Sequence, residues 1–594
     1  MRRGSDHSSL YKTDTSDTNL SFFSSVLHLR GPSLVPQPVV SAEGDVLCYN
    51  GQIFEGLPID PQLTSDTKVI WNLLTEQVSQ YGEQGIRDAL ARLEGPYAIV
   101  YYQAATQTLY YARDPLGRRS LLVSTPSGER SQFVLASVGE TLGNGEWAWE
   151  EVGCESLWKV SLSDTNVDNL YTPQTVERFI SLDPVNSTIP PASFTVPLLD
   201  SKLFPAENDA LNEAADRLII ELDESVKRRV ENIPALEASN CEHPPARLAI
   251  LFSGGLDCTV IALLADRYIP TNEPIDLLNV GFENPRSLAN QLKASTGPKK
   301  VKIKGKGKQD EATLRNGSPE ECIGRVEPYQ APRSVDSDEE RRTKVYGVPD
   351  RKTGWDTLAE LRELRPTRTW NFVEIDVPYE ECTRLTPVSL ALALYFASRG
   401  EGTVVDSTTR KRSPYISQAK VLLSGLGADE QLGGYGRHRR AYELGGWSGL
   451  IDEIQMDITR LPTRNLGRDD RVISTHSKEA RFPYLSLSFI RYLSRIPIQT
   501  KCDFRYAEPR KDSDEAIGDK ILLRLAADRL GLKRTRGKKK RAMQFGSRSA
   551  KMDGQDEAQG GSGGGMRRRG MGAEKLGAAE AKERISLRVE EEDL

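Results

Sequence analysis

The stretch ARLAILFSGGLDCTVIALLADR, residues 246–267, decides the fold of the larger part of the chain. An apolar run enters Gly254 and Gly255, Asp257 follows, and a second apolar run leaves, which predicts a strand, a tight turn and a helix. Bare glycine backbone can approach phosphate oxygens, and the first amides of the helix then face the anion. No lysine stands in the Walker register, so another kind of nucleotide loop is predicted. A tight turn without a ligand is the alternative.

The segments around this turn predict a parallel α/β sheet. Helical spacing from residue 205 onward relates Leu211, Ala214, Leu218, Leu222 and Val226. Residues 275–280 (IDLLNV) and the runs TWNFVEIDV and AKVLLSG have the apolar character of buried strands. Strands that alternate with helices are typical of a parallel sheet.

A second loop, VLLSGLGADEQLGGYGRHR at residues 421–439, follows another predicted strand. Together with SGGLD it resembles the asparagine synthetase family, whose second loop usually reads S-G-E-G-[AS]-D-E-x-x-G-G-Y. Three later segments resemble the same family in the same order, namely KEARFPYL (478–485), GDKILLRLAADRLGL (518–532) and KKKRAMQFGSR (538–548). The resemblance covers about residues 1–552.

This resemblance implies a parallel-sheet, adenine-nucleotide α-hydrolase-like (PP-loop) domain that uses ATP and Mg²⁺. ATP is cut between its α and β phosphates, aspartate is adenylated, and ammonia then displaces AMP to give asparagine. The implied ATP-binding residues are Leu251, Ser253, Gly254, Gly255, Val280, Ser424 and Gly425. The implied catalytic residues are Asp257, Asp429 and Lys520, and the two aspartates are also the implied ligands of the metal.

Two positions depart from the family pattern. Leu426 stands where the family has a glutamate near the attacking amine, and leucine can neither take up a proton nor orient ammonia. The amide-forming half of the reaction is therefore expected to be weakened, or the pocket serves another acceptor or none. Cys258 replaces a hydroxyl residue of the first loop, and we expect a buried small thiol there.

The first 160 residues contain short strand-like runs with turn signals. The segments LHLRG (27–31), YNGQIF (49–54), TSDTKVI (64–70), LEGPYAIVYY and ARDPLGRRSL resemble class II glutamine amidotransferases. The resemblance implies an Ntn-type α+β sandwich in which glutamine is bound by Arg30, Asn50, Gly51 and Asp66. Glycine turns between strands, without any ligand, are the alternative.

Amidotransferase chemistry of this class needs a cysteine at the processed amino terminus, with its α-amine as base. Here RRGSD, residues 2–6, resembles a segment from inside the domain. We therefore expect the sandwich to be incomplete at its N-terminus and the glutaminase half to be inactive, unless a longer transcript supplies the missing start. Cys48 is internal, and we expect it to pack between strands.

The predicted organisation is an amidotransferase-like domain (1–160), a linker (161–204), a synthetase-like domain (205–552) with a disordered lysine-rich insertion (283–344), and a disordered Gly-rich charged tail (553–594). The net charge of −5 and seven scattered cysteines favour a cytoplasmic protein that does not bind nucleic acid. The apolar run SLALALYFAS (389–398) is too short to span a membrane. The oligomeric state stays open, a homodimer included.

The predicted function is that of an asparagine synthase-like amidoligase, with aspartate and with glutamine or ammonia as its small-molecule substrates. Two alternatives remain. One is a non-catalytic or regulatory homologue that binds ATP, and the other is a ligase for a different carboxylate.

Overall fold

The computed structural model of the chain describes residues 3–14, 19–60, 63–127, 132–139, 147–163, 171–176, 182–191, 193–194, 209–236, 244–283, 342–384, 389–406, 411–506 and 518–549. The predicted tail and nearly all of the predicted insertion lie outside these ranges, so their disorder stays a prediction. The described residues form a mixed α/β protein with several sheets. In these ranges no helix is both long and apolar enough to cross a bilayer.

The N-terminal part, up to Val176, consists mainly of strands. Its elements are β1 (His7–Asp14), β2 (Asn19–Val26), β3 (Val39–Val40), β4 (Val46–Gly51), α1 (Asp66–Tyr81), α2 (Glu83–Ala91), β5 (Tyr97–Gln103), β6 (Thr108–Arg113), β7 (Leu122–Ser124), β8 (Val134–Ala136), β9 (Glu150–Glu151), β10 (Leu157–Ser161) and β11 (Gln174–Val176).

The main sheet of this part is antiparallel, with the strand order β11-β10-β6-β5-β4-β3. Helices α1 and α2 cover one face, where Ile70 and Leu74 pack in the same core as Leu47 and Tyr101. The hairpin of β1 and β2 covers the other face, with Phe22 buried against it. The sheet therefore lies between a helical layer and a layer of strands. Its edge strand β11 extends past residue 160, into the predicted linker.

The C-terminal part, from Asp209, alternates strands with helices. Its elements are α3 (Asp209–Val230), β12 (Leu248–Leu251), α4 (Leu256–Ala265), β13 (Ile275–Phe282), α5 (Pro349–Leu364), β14 (Trp370–Val377), α6 (Tyr379–Thr383), α7 (Ser389–Arg399), β15 (Glu401–Val405), β16 (Arg412–Ile416), β17 (Val421–Leu423), α8 (Ala428–Leu432), α9 (Gly436–Arg460), α10 (Leu466–Ser474), β18 (Glu479–Arg481), α11 (Leu487–Arg495), α12 (Ile498–Lys501), α13 (Ile521–Arg529) and α14 (Met543–Gly546).

These strands form one seven-stranded sheet in the order β16-β15-β14-β13-β12-β17-β18. The five strands β14, β13, β12, β17 and β18 run parallel, which confirms the predicted parallel sheet. Their near-continuous apolar character follows from burial on both faces, by α3 and α4 on one side and by α7 and α10 on the other. The antiparallel edge formed by β15 and β16 is not predicted by the sequence pattern.

The two parts meet through buried charged groups rather than through apolar packing alone. The guanidinium of Arg118 donates to the carbonyl oxygen of Leu485 at 2.8 Å, and Arg119 Nη1 lies 2.9 Å from Asp470 Oδ1. Both arginines are almost fully buried. Buried ion pairs require accurate geometry, so these contacts fix how the two parts sit against each other.

Candidate functional site

The order of strands in the C-terminal sheet reverses direction at β12, which lies between β13 and β17. Ligands of parallel α/β sheets bind beyond the carboxyl ends of the strands at such a point. The two motif loops, residues 253–257 and 424–429, directly follow β12 and β17. A Cβ atom built on Gly425 would lie 3.0 Å from the Cβ of Asp257, so the loops are in contact. The residues that the sequence places in two distant motifs therefore form one site.

One buried lysine joins the two loops. The Nζ of Lys520 lies 2.7 Å from both carboxylate oxygens of Asp257 and 2.6 Å from Oδ1 of Asp429. Burial alone would lower the pKa of Lys520, but the two carboxylates outweigh it and raise that pKa. Burial alone would raise the pKa of Asp429, but Lys520 and Lys540 hold it well below its ordinary value. The charged lysine thus lies between the carboxylates of Asp257 and Asp429.

The backbone places Lys520 in a costly conformation. Its φ of 51° and ψ of 35° lie in the left-handed region, at the start of α13. Its N–H donates to the carbonyl oxygen of Leu432, at the end of α8, at 3.0 Å. Non-glycine residues held in this region cost on the order of 1 kcal/mol and are concentrated at functional sites. The conformation lets one residue contact both loops.

The first loop is held by close backbone approach. Gly254 has a φ of +75°, and a Cβ atom there would meet the backbone of Thr353 and Gly354 in α5. Thr357 Oγ1 donates to the carbonyl oxygen of Gly254 at 2.8 Å. The amide of Gly255 donates to the hydroxyl of Ser253 at 3.3 Å. This turn needs glycine for packing as well as for any ligand.

The other acid of the second loop, Glu430, is hydrogen-bonded to groups of that loop and of the tyrosine that follows it. Glu430 accepts a hydrogen bond from the amide of Gly427 at 3.1 Å and from the hydroxyl of Tyr435 at 2.6 Å. Burial and the charges of Glu430 and Asp429 raise the pKa of Tyr435 far above its ordinary value. Glu430 therefore braces the turn, and Asp429 is the acid that faces Lys520.

The remaining residues of the implied ATP site lie beside these loops. Leu251 is the last residue of β12, Val280 lies two residues before the end of the adjacent strand β13, and both pack in the same apolar cluster. The amide of Ser424 donates to the carbonyl oxygen of Arg481 at 3.0 Å, and its hydroxyl accepts from the amide of Leu426 at 3.3 Å. The contact with adenine or ribose stays a prediction.

The two departures from the family pattern have apolar or buried surroundings. Leu426 is half-buried and packs against the apolar cluster of Leu251 and Val280. Burial raises the pKa of Cys258, whose thiol donates to the carbonyl oxygen of Gly255 at 3.3 Å. A thiol with a raised pKa is a weak nucleophile, so a packing role suits Cys258.

Sequence reasoning did not single out Lys540, which the structure places in the site. Its Nζ forms an ion pair with Oδ2 of Asp429 and lies 5.6 Å from the centroid of the Tyr435 ring. Lys538 donates to the carbonyl oxygen of Thr353 at 3.0 Å, behind the first loop. The signal was the basic run KKKR (538–541), but its sequence does not tell which lysine turns inward.

Asp350, at the start of α5, was also missed. Its carbonyl oxygen accepts from the side-chain amide of Asn279, which donates in addition to the carbonyl oxygen of Phe252, next to the first loop. Burial raises the pKa of Asp350 to about 7, although the charges of Arg541 and Lys540 lower it. A Cβ atom on Gly546 would overlap the carboxylate, so α14 covers this acid.

In the N-terminal part, Arg30 and Asp66 lie together. The amide of Ile53 donates to Asp66 Oδ2 at 2.7 Å, and the guanidinium of Arg30 donates to the carbonyl oxygen of Ile53. The nearest atoms of the two charged groups are 3.7 Å apart. Asn50 and Gly51 are the last two residues of β4; Asn50 is exposed, and Gly51 has no room for a Cβ atom against Pro96. The binding of glutamine by these four residues stays a prediction.

Cys48 lies on the strand β4 and faces β2. Its sulfur accepts a hydrogen bond from the hydroxyl of Ser24 at 3.3 Å, and burial raises its pKa. Both observations favour the expected packing role.

Comparison with known proteins defines the class of the N-terminal part. The glutamine amidotransferase domain family matches residues 26–143, which contain Arg30, Asn50, Gly51 and Asp66. The chain is therefore a protein with a glutamine amidotransferase domain, followed by the α/β part that carries the two loops.

Whole-chain relatives identify the family. Asparagine synthetase domain-containing protein 1 of Homo sapiens is 36% identical, over 90% of this chain and 88% of the relative. The protein of the same name in Bos taurus is 34% identical, over 94% and 92%. An asparagine synthetase domain-containing protein of Saccharomyces cerevisiae is 30% identical, over 93% and 87%. The chain belongs to the family of asparagine synthetase domain-containing protein 1.

Proposed function

We propose that the chain is an asparagine synthetase-like amidoligase that binds ATP between the loops at residues 253–257 and 424–429. In this proposal it activates the side-chain carboxylate of aspartate by adenylation and joins it to ammonia. The contact of Lys520 with both Asp257 and Asp429 carries the proposal. It is supported by the position of the loops, since the switch point of a parallel sheet is where such ligands bind.

The proposal includes the two fold types. A PP-loop fold is supported by the strand–glycine turn–helix unit of β12 and α4 at the centre of a parallel sheet. An Ntn-type sandwich is supported by the match to the amidotransferase family and by the layers that cover both faces of the six-stranded sheet.

The residues present suit Mg²⁺ delivered together with ATP. Asp257 and Asp429 offer hard carboxylate oxygens that already face a single cation, the ammonium of Lys520. Across the described ranges, no group of three or more His, Cys, Asp or Glu side chains could hold a metal unaided. Two carboxylates with phosphate oxygens are a usual arrangement for this ion. When bound, Mg²⁺ neutralises charge on the phosphates.

The chain's own groups would then act on the nucleotide. The turn at Gly254 and Gly255 brings backbone close to the phosphates, and the hydroxyl of Ser253 is a second donor. The ammonium of Lys520, fixed by two carboxylates, stabilises the negative charge that gathers on the leaving pyrophosphate. Because the group is already oriented before the reaction, little reorganisation is needed.

The surroundings of Leu426 favour an alternative. A half-buried leucine on an apolar cluster offers no proton acceptor for an incoming amine. The same loops would then serve a ligase for another carboxylate, or an ATP-binding homologue without catalysis.

The test is an assay of the purified chain with ATP, Mg²⁺ and aspartate, with either ammonia or glutamine as the nitrogen source. We expect release of AMP and pyrophosphate with ammonia as the nitrogen source. We expect no release that depends on glutamine, because Cys48 packs between strands with a raised pKa, which makes its thiol a weak nucleophile. Release with a different carboxylate only would favour the other ligase. ATP binding without release for any amino acid would favour the non-catalytic homologue.

A further inference from the structure

Lys540 reaches into the candidate nucleotide site from a segment that is packed behind the first loop. Its neighbours in sequence are fixed on α5, where Lys538 donates to the carbonyl oxygen of Thr353 at 3.0 Å and Arg541 donates to the hydroxyl of the same residue at 3.2 Å. The ammonium of Lys540 itself is paired with Oδ2 of Asp429, in the second loop. Its side chain therefore crosses from the side of the first loop to the acid of the second.

The carboxylate oxygens of both candidate metal ligands are paired with lysines. Lys520 contacts both oxygens of Asp257 at 2.7 Å and Oδ1 of Asp429 at 2.6 Å, which leaves Oδ2 to Lys540. A Cβ atom on Gly434 would lie 2.0 Å from Oδ1 of Asp429 and 2.3 Å from Cε of Lys520, so that side of the carboxylate is closed. Two cations on one carboxylate oxygen repel each other, so a further cation at Asp429 favours the loss of a lysine contact.

The two lysines are held with different strength. The side chain of Lys520 is 3% exposed and contacts three carboxylate oxygens, and its backbone N–H is bonded to Leu432. The side chain of Lys540 is 28% exposed and pairs with a single carboxylate oxygen. Its Nζ also lies 5.6 Å from the centroid of the Tyr435 ring, and the attraction between an ammonium and an aromatic face would keep it beside the loop without the acid. Lys540 is therefore the lysine that a further cation displaces.

We propose that Lys540 and the metal compete for Asp429, so that Lys540 releases this carboxylate when Mg·ATP binds and pairs with a phosphate group of the nucleotide instead. The inference rests on the proposed function, which makes Mg·ATP the ligand. Lysine is a common phosphate ligand, and the phosphates arrive together with the metal that takes the acid. The exchange keeps every charge paired, whereas the metal alone would leave the ammonium without an anion. Lys540 thereby makes metal binding depend on the nucleotide.

The test compares Mn²⁺ alone with Mg·ATP as ligands of the full chain and of its variant Lys540→Met. Mn²⁺ shares the oxygen ligands of Mg²⁺, and its binding is followed by electron paramagnetic resonance, whereas that of Mg·ATP is followed by calorimetry. We expect Lys540→Met to bind Mn²⁺ at least about threefold more tightly than the parent, because a competing cation is gone. It should bind Mg·ATP about tenfold more weakly, because a charged contact with phosphate is lost.

These opposite changes separate the exchange from a structural role, since a loosened site would bind both ligands more weakly. Lys533→Met is the matched control, because it removes the same charge from the same basic run, 533–541, but from a side chain that is 63% exposed and paired with Asp528. This control should bind both ligands like the parent.

Equal Mn²⁺ affinities in the parent and in Lys540→Met, or weaker binding of both ligands by the variant, would overturn the competition. Unchanged binding of Mg·ATP by the variant would overturn the phosphate contact. Failure of the parent to bind Mg·ATP would contradict the proposed function itself, and the comparison with Mn²⁺ alone would still decide whether Lys540 competes for Asp429.

Discussion

The ammonium nitrogen of Lys520 lies 2.7 Å from each carboxylate oxygen of Asp257. Its third contact, with Asp429 at 2.6 Å, joins loops that are separated by more than 160 residues of sequence. One buried lysine thereby contacts both candidate metal ligands. Stability and nucleotide binding should therefore depend on the same residue.

Replacement of this lysine should destabilise the chain. In Lys520→Met the buried carboxylate of Asp429 and the partly buried carboxylate of Asp257 lose their shared cation, and Lys540 is the remaining cation on Asp429. Breaking a buried pair typically costs about 3–5 kcal/mol, so we expect a loss of that order in the free energy of unfolding measured with urea. Lys533→Met is the control, since that lysine pairs with Asp528 at 2.8 Å but is 63% exposed. Its loss should stay below about 1 kcal/mol. Equal losses in the two variants would contradict the buried bridge.

Two nearby glycines allow a matched comparison. A Cβ atom on Gly434 would overlap Oδ1 of Asp429 and Cε of Lys520, whereas one on Gly436 meets nothing within 4 Å. We expect Gly434→Ala to displace the lysine and weaken Mg·ATP binding by about tenfold or more, as a misplaced charged contact does. Gly436→Ala lies in the first turn of α9 and should bind like the parent. Calorimetric titration of Mg·ATP into both variants and the parent measures this difference in affinity. Unchanged binding in Gly434→Ala would show that this geometry is not needed.

The raised pKa of Asp350 predicts a pH dependence of stability. Its folded pKa of about 7 exceeds the model-peptide value of about 3.9, so between these values the folded chain holds a proton that the unfolded chain has lost. Stability from this group is therefore full below pH 4 and falls as the pH rises to 7. Asp350→Asn should match the parent at pH 4 and be more stable at pH 8, by up to about 4 kcal/mol. The exposed Asp356, on the same helix, provides the control Asp356→Asn. Parallel pH profiles for the parent and Asp350→Asn would contradict the raised pKa.

Leucine at position 426 predicts that the parent forms less than one asparagine for each pyrophosphate that it releases. Leu426→Glu restores a proton acceptor beside the second loop, so we expect more asparagine per pyrophosphate with ammonia as the nitrogen source. Placing a carboxylate on an apolar cluster should also cost about 1–3 kcal/mol of stability. Leu426→Gln separates polarity from proton transfer and should not raise the yield. One asparagine per pyrophosphate already in the parent would mean that leucine is no obstacle. Amino-acid analysis beside a pyrophosphate assay measures this ratio.

Local patterns predicted the elements that hold the site. The apolar run, glycine turn and apolar run around Gly254 became β12, the first loop and α4, and the second motif became β17 and α8. Helical spacing predicted α3, although Ala215 rather than Ala214 is the fully buried alanine. These features depend on near neighbours in sequence, so periodicity and turn chemistry are sufficient to find them.

Long-range partners could not be read in the same way. Lys540 meets Asp429 across 111 residues, and a run of three lysines and an arginine does not encode which ammonium faces an acid. Neither the helical spacing of residues 211–226 nor the segment KEARFPYL indicates that Arg229 and Arg481 are buried, yet both lie against Phe54 of the other part. Charged residues carry little signal of burial, because burial depends on partners that only the tertiary fold supplies.

The central claim, that the loops after β12 and β17 form one nucleotide site, is tested most directly by calorimetric titration of Mg·ATP into the parent, Asp257→Ala and Asp429→Ala. The account predicts one site per chain in the parent and a loss of metal-dependent binding in each variant. Binding as tight as that of the parent in either variant would contradict it.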